Sequence, residues 1–212
     1  MAPGLDTLHA DDHLLVFHKP AGLLSVPGKG PDHQDCLSAR AQTQWPDALV
    51  VHRLDMATSG VIAMARGLPA QRALSAAFEQ RHTHKSYVAL VHGHVGQPGD
   101  RGDIDWPLII DWLNRPRSKI CLATGKPSLT RWRVSEQPSP LPHTTRLELD
   151  PVTGRSHQLR VHLMALGHPI VGDPLYGPQP PTASRLMLHA ERLALAHPTQ
   201  HQPMAFVAPS PF

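Results

Sequence analysis

Only two of the 212 residues are cysteine, Cys36 and Cys121. They lie far apart, in neither a metal-ligand nor a redox spacing, so a disulfide framework has no support and a reducing cytoplasm is the expected compartment. No apolar run approaches the roughly 20 residues that cross a bilayer. Residues 1–7 lack the basic flank and apolar stretch of a leader, so the chain reads as neither membrane-spanning nor secreted. Charge of one sign is scarce too: 20 Lys and Arg face 17 Asp and Glu, a net +3 that decides nothing until its distribution is known. Hydrophobic residues at 41% and charged residues at 17% exclude a disordered chain. No internal repeat, tail or linker divides the sequence, which reads as a single domain over residues 1–212. A phosphate loop is missing as well. Gly125-Lys126-Pro127-Ser128 lacks the preceding glycine, and Pro127 interrupts the Gly-Lys-Ser order.

What is present is a set of short β-prone runs. Residues 14–17 form an apolar run ending in the turn Lys19-Pro20-Ala21-Gly22, and residues 48–51 and 60–65 flank a polar insert at 53–59. Ala70, Ala73, Leu74, Ala77 and Phe78 follow a three-and-four spacing that predicts a helix over 69–80. Residues 87–95 are β-prone, and Thr130, Trp132 and Val134 alternate with Arg131 and Arg133, as do Leu147 and Leu149 with Arg146 and Glu148. Ser156 is placed to cap a helix carrying Leu159, Leu163 and Leu166 on one face and ending at Gly167. Leu193 and Leu195 suggest a last strand. Strands dominate without regular strand-helix alternation, so the fold class is α+β with a mixed, mostly antiparallel sheet.

Three stretches carry chemistry. In the first, Asp55 lies between two apolar runs, with Arg53 two positions before it and hydroxyls after it, as a nucleophile or general base would; a turn-capping Asp is the alternative. In the second, Lys85 and Tyr87 share one face of a strand, fit for proton transfer or base stacking, or else an ordinary core tyrosine beside a snorkelling lysine. In the third, Gly154-Arg155-Ser156-His157-Gln158-Leu159-Arg160-Val161-His162, Arg155 follows a glycine turn where it could pair with a buried carboxylate, whereas Arg160 reads as a surface charge.

Together these stretches resemble the RluA family of RNA pseudouridine synthases. The family's H-R-L-D-x-x-T-S-G stands here as His52-Arg53-Leu54-Asp55-Met56-Ala57-Thr58-Ser59-Gly60, its K-x-Y-x-A-x-V-x-G as residues 85–93, and its G-R-[TS]-H-Q-L-R-V-H as residues 154–162. The resemblance extends over about residues 14–209, with one departure at His18, where the family usually has Asn. It implies a pseudouridine synthase catalytic fold with an active-site cleft. Asp55, Tyr87 and Arg155 would be catalytic, and Arg53, His52, Lys85, Thr58 and Leu188 substrate-binding. Arg53 would fill the space of a flipped base. No cofactor and no metal are implied, because the isomerisation needs no redox partner or phosphate donor. Only 51 residues precede the first motif, too few for the small N-terminal RNA-binding domain many relatives carry.

Residues 106–117 and 124–127 look like the branch whose enzymes modify uridine 32 of the tRNA anticodon stem-loop and uridine 746 of a 23S rRNA hairpin, which would make those RNAs the partners of a protein expected to be monomeric. The charge distribution fits. No Asp or Glu falls from Trp112 to Ser135, while Arg115, Arg117, Lys119 and Lys126 do, beside Trp112 as a stacking surface. The rival reading is a noncatalytic RNA-binding or RNA-chaperone protein on the same scaffold, or a synthase with another target. Of the 16 histidines, His82 with His84 and His92 with His94 could share strand faces, but no Cys or acidic cluster completes a metal site. A hydrolase built on Ser59, His52 and Asp55 lacks the G-x-S-x-G elbow.

Overall fold

The computed structural model describes residues 4–212. In chain order the elements are β1 (Asp6–Ala10), β2 (Leu14–Lys19), α1 (Leu37–Gln44), β3 (Ala48–Val50), β4 (Ser59–Arg66), α2 (Gly67–Glu79), β5 (His84–His92), β6 (Arg101–Ile104), β7 (Leu108–Ile110), β8 (Ser118–Ile120), β9 (Thr130–Val134), β10 (Thr144–Pro151), α3 (Gln158–Ala165), β11 (Leu188–Ala196) and β12 (Pro203–Val207). The fold is α+β, and the pairs β1–β2, β2–β4, β3–β4, β5–β10, β9–β10, β6–β9, β11–β12 and β7–β8 are antiparallel. Two compact units divide the chain: the residues up to Lys85 with Ala190–Pro211, and Ser86–His189 with Phe212.

In the first unit the strand order is β1-β2-β4-β11, with β3 also on β4 and β12 also on β11. Strand β2 is apolar at consecutive positions because both of its faces are covered. Leu14 and Val16 join Val61, Ala63 and Ala65 of β4 against Ala70 and Leu74 of α2, whereas Phe17 packs near Trp45, ring centroids 5.8 Å apart. Each such fully buried Leu or Val contributes about 1.5–3 kcal/mol. Helix α2 therefore sits on β4 through the stripe that the three-and-four spacing foretold, starting two residues earlier than the spacing suggested. Gly60 has φ 121°, and a Cβ there would lie 2.2 Å from the Ala190 carbonyl oxygen, so only glycine lets β4 and β11 approach.

In the second unit β5, β10, β9 and β6 form an antiparallel succession. Thr130↔Pro151 and Tyr87↔Leu149 fix the registers of β9 and β5 on β10. Strands β7 and β8 form a separate two-stranded sheet, making an arm whose base is closed by Leu108 N to Lys126 O (3.0 Å) and Lys126 N to Leu108 O (2.8 Å). Helix α3 begins after His157, which has φ 55°, and is followed, after its C-cap Leu166, by Gly167 with φ 94°. The N-cap is thus His157 rather than Ser156. Cys36 and Cys121 are free thiols. Among the described residues no helix is long and apolar enough to cross a membrane.

Candidate active site

Asp55 stands at the entrance to β4 in the first unit, half-buried, in a loop fastened on both sides. Before it, Leu54 is 5% exposed and clipped by Ser25, whose hydroxyl donates to Leu54 O (2.7 Å) while Leu54 N donates back (3.1 Å). After it, the Met56 carbonyl accepts from Gly22 N (2.8 Å) and from the buried Lys19 ammonium (3.2 Å), which also donates to the carbonyls of Pro20 and Leu23. Thr58 N closes a turn onto Asp55 O at 3.1 Å. A carboxylate on a segment tied this way is held in one place before any substrate arrives. Sequence reasoning gave Lys19 and Ser25 no role of their own: it read Lys19-Pro20-Ala21-Gly22 as a turn and residues 16–28 as a flanking stretch of the family resemblance. The signal was available in a lysine at the end of a strand that opens with four apolar residues.

His52 belongs to this scaffold. Its ring stacks on Phe78 of α2 with centroids 4.2 Å apart, and its Nε2 accepts from Ala63 N at 2.9 Å, so the ring proton is on Nδ1. Burial, helped by the nearby Lys85 charge, drops its pKa to about 3. A histidine protonated in the unfolded chain near pH 6.5 but neutral when folded makes stability fall as the pH falls through that window. Between about pH 7 and about pH 5 the expected loss is about 2 kcal/mol. Urea unfolding of wild type and His52→Gln at both pH values checks this: the gap between the two proteins should narrow on acidification, and a constant gap would contradict it.

Lys85 is half-buried, and burial, with Arg81 nearby, lowers its pKa from the ordinary lysine value. Arg53 is exposed, and Thr58 is buried at 3%. His18 of β2, the departure from the family pattern, lies 2.9 Å from Asp6 of β1 through Nδ1, one rung of the β1 and β2 ladder.

In the second unit, Tyr87 lies half-buried on β5, and its neighbour Ser86 donates to Asp150 of β10 at 2.9 Å. Arg155 is in the loop between β10 and α3. That loop is organised by Gln158, 4% exposed: its Oε1 accepts from Thr153 Oγ1 (2.6 Å) and Arg155 N (3.1 Å), and its amide donates to Leu129 O (2.9 Å) and Thr130 Oγ1 (3.0 Å). The Arg155 guanidinium donates through Nε and Nη2 to Pro127 O at 3.3 and 3.2 Å. Leu188 is buried on β11. Arg160, read from sequence as a surface charge, is 3% exposed and makes a two-pronged ion pair with Asp173 (2.8 and 2.7 Å). Its partner lies 13 residues on in a loop, beyond any local pattern.

The arm carries the basic residues. Arg115, Arg117, Lys119 and Lys126 are exposed, and the Arg115 guanidinium sits 3.2 Å above the Trp112 ring, which is 66% exposed. Lys119 reaches Asp111 at 3.3 Å, whereas Arg131 and Arg133 on β9 face Asp103 and Glu148. Ile110, Leu113 and Leu122 are exposed on the same arm. Cationic, aromatic and apolar surface interleaved in this way suits a single-stranded or looped nucleic acid. Among the described residues no group of three or more His, Cys, Asp or Glu could hold a metal ion.

Comparison with known proteins matches residues 13–165 to the RNA pseudouridylate synthase family model. The dual-specificity RNA pseudouridine synthase RluA of Escherichia coli is 50% identical over 212 residues, covering 99% of this chain and 95% of that protein. The protein of the same name from Pasteurella multocida is 48% identical over 213 residues, with the same coverage. Among solved structures, human RNA pseudouridylate synthase domain containing 1 superposes with a TM-score of 0.78 at 30% identity, covering 100% of this chain and 87% of that one. Domain containing 4 gives 0.73 at 25%, covering 97% and 88%.

Proposed function

Because the chain belongs to the RNA pseudouridylate synthase family and isomerises uridine to pseudouridine in RNA, we propose that its targets are uridine 32 of the tRNA anticodon stem-loop and uridine 746 of a 23S rRNA hairpin, with Asp55, Tyr87 and Arg155 as its catalytic residues. The dual-specificity name of relatives 50% identical over nearly the whole chain supports the targets. The family match runs across the division at Lys85, which supports treating both units as one catalytic domain.

The reaction breaks the glycosidic bond between the anomeric carbon and uracil N1, rotates the base, and forms a bond from the same carbon to carbon 5. The carbon 5 proton is lost to a base and N1 gains a proton, so atoms balance without a second substrate. The single observation that carries the reading is the placement of Asp55 in the His52 to Gly60 motif, on a loop immobilised by Ser25 and Lys19. Its carboxylate would act on the anomeric carbon, on carbon 6 of the base or as a base toward the sugar. Arg155 would serve as a counter-charge to the carboxylate during the reaction. Among the described residues the guanidinium donates to a neutral carbonyl, Pro127 O, a weaker partner than a carboxylate. Tyr87 would stack on the flipped base and assist departure of the carbon 5 proton. Flipping costs a few kcal/mol, and exposed Arg53 would occupy the vacated stack, with Lys85, Thr58 and Leu188 along the substrate. We read the enzyme as a cytoplasmic monomer that needs neither metal nor cofactor.

Comparing pseudouridine maps of RNA from cells with and without the gene tests the targets; signal should disappear at both uridines, and loss only at unrelated positions would overturn the assignment. The arm makes its own prediction. Trp112→Ala should weaken binding of the anticodon stem-loop by about tenfold, since stacking on an aromatic side chain is worth about 1–3 kcal/mol per base. Arg117→Ala should flatten the salt dependence of binding by about 0.7–0.9 in log-log slope. Fluorescence anisotropy over a salt series reads both, and unchanged affinity and slope would take the arm out of the RNA interface.

A further inference from the structure

Tyr176 is 9% exposed and held like a post in the second unit. Its backbone N–H donates to Asp173 Oδ1 at 3.1 Å, its ring packs with Leu108, Ile120, Val161 and Leu175, and the Arg160 guanidinium lies 5.1 Å from the ring centroid. Its hydroxyl meets two segments of different function. Ser118 N, on β8 of the basic arm, donates to it at 2.7 Å, and His157 Nδ1, two residues beyond Arg155, lies 2.8 Å away. The Ser118 amide can only donate, so the phenol oxygen accepts there and has its own proton to offer His157 Nδ1. The arm touches the same loop a second time at its other end, where Pro127, next to the Lys126 rung that closes the arm, takes the Arg155 guanidinium.

We propose that Tyr176 is a positioning residue: its hydroxyl couples the RNA-binding arm, through Ser118 and His157, to the loop that carries Arg155, so that RNA engaged by the arm sets the guanidinium for catalysis. This rests on the role of Arg155 proposed above. His157 suits the part because its left-handed backbone, φ 55°, makes the loop's exit into α3 a conformation that the side-chain contact must hold. A device of this kind limits turnover to RNA that the arm has gripped, and it acts on the chemical step more than on affinity.

The test compares wild type, Tyr176→Phe, His157→Asn, the double variant and Arg155→Lys, measuring turnover and RNA affinity with an anticodon stem-loop transcript. Tyr176→Phe keeps the ring, and His157→Asn keeps a residue that tolerates left-handed backbone. Each single variant should lose about 10- to 100-fold in kcat, the cost of a displaced reacting geometry, while RNA affinity stays within about twofold of wild type. The double variant should be no slower than the slower single, as for two groups in one chain of contacts. Unchanged kcat in both singles, a loss carried wholly by affinity, or losses that multiply in the double variant would each overturn the inference. Should Tyr176→Phe fail to fold with the Ser118 amide unpaired, His157→Asn, which leaves that bond intact, decides by the same criteria. Arg155→Lys separates the two levels. If it is slow while the others turn over normally, only the coupling fails; if it turns over like wild type, the role of Arg155 fails and the coupling with it.

Discussion

Asp55→Asn is expected to bind RNA as the wild type does and to turn it over at least about a thousandfold more slowly. The substitution preserves shape and removes charge. The loop around it is held at several other points: Ser25 with Leu54, Lys19 with the Met56 carbonyl, His52 with Ala63 N. Fold stability should therefore change by no more than about 1 kcal/mol, which for a chain of this size is about 2–4 °C in Tm. Affinity comes mainly from phosphate and stacking contacts, so binding survives while the chemical step does not. An Asn variant with turnover within tenfold of wild type would remove Asp55 from the reaction, and one that lost RNA binding together with turnover would assign it to recognition instead.

The second large effect concerns stability. Asp173→Asn should cost about 3–5 kcal/mol, because it leaves the Arg160 guanidinium buried without its counter-charge. Both side chains are almost fully enclosed, at 4% and 0% exposure, and Asp173 Oδ1 also accepts from Leu175 N at 2.9 Å and Tyr176 N at 3.1 Å. Burial pushes the Asp173 carboxyl up, but the Arg160 guanidinium and these amides outweigh it and hold the carboxyl below the usual range. The pair's contribution is thus present above the unfolded carboxylate pKa and is lost as the pH drops through the lower folded value. Urea unfolding at neutral pH measures the cost, and a variant within 1 kcal/mol of wild type would contradict it. The double replacement Arg160→Met with Asp173→Leu should recover part of the loss, since it leaves no unpaired charge, but not the two backbone contacts.

Periodic segments were readable. Thr130 to Val134 alternates in sequence and is β9, and the three-and-four apolar spacing before Glu79 is α2 on β4. The motif around Asp55 was legible because its residue types are specific, and the structure adds why the loop is firm. What was missed depends on contacts between distant segments. The strands of the arm have three residues each, too short for a period, and β12 alternates only weakly in burial. The α3 cap was assigned to Ser156 by residue type, but Gln158 satisfies Arg155 N from within the helix, and the chain instead turns at His157. Arg146, placed on the exposed face of β10 by alternation, is 9% exposed because Phe212 returns over it and its carbonyl accepts from the guanidinium. Charged residues that are buried through a remote partner, Arg160 above all, are invisible to any local reading.

The most direct test is release of tritium from carbon 5 of uridine in anticodon stem-loop and 23S hairpin transcripts, with purified protein and neither metal nor nucleotide added. Release from both transcripts is expected, in proportion to the uridine isomerised. No release from either, with salt-sensitive binding of both intact, would contradict it and leave a protein that grips RNA without changing it.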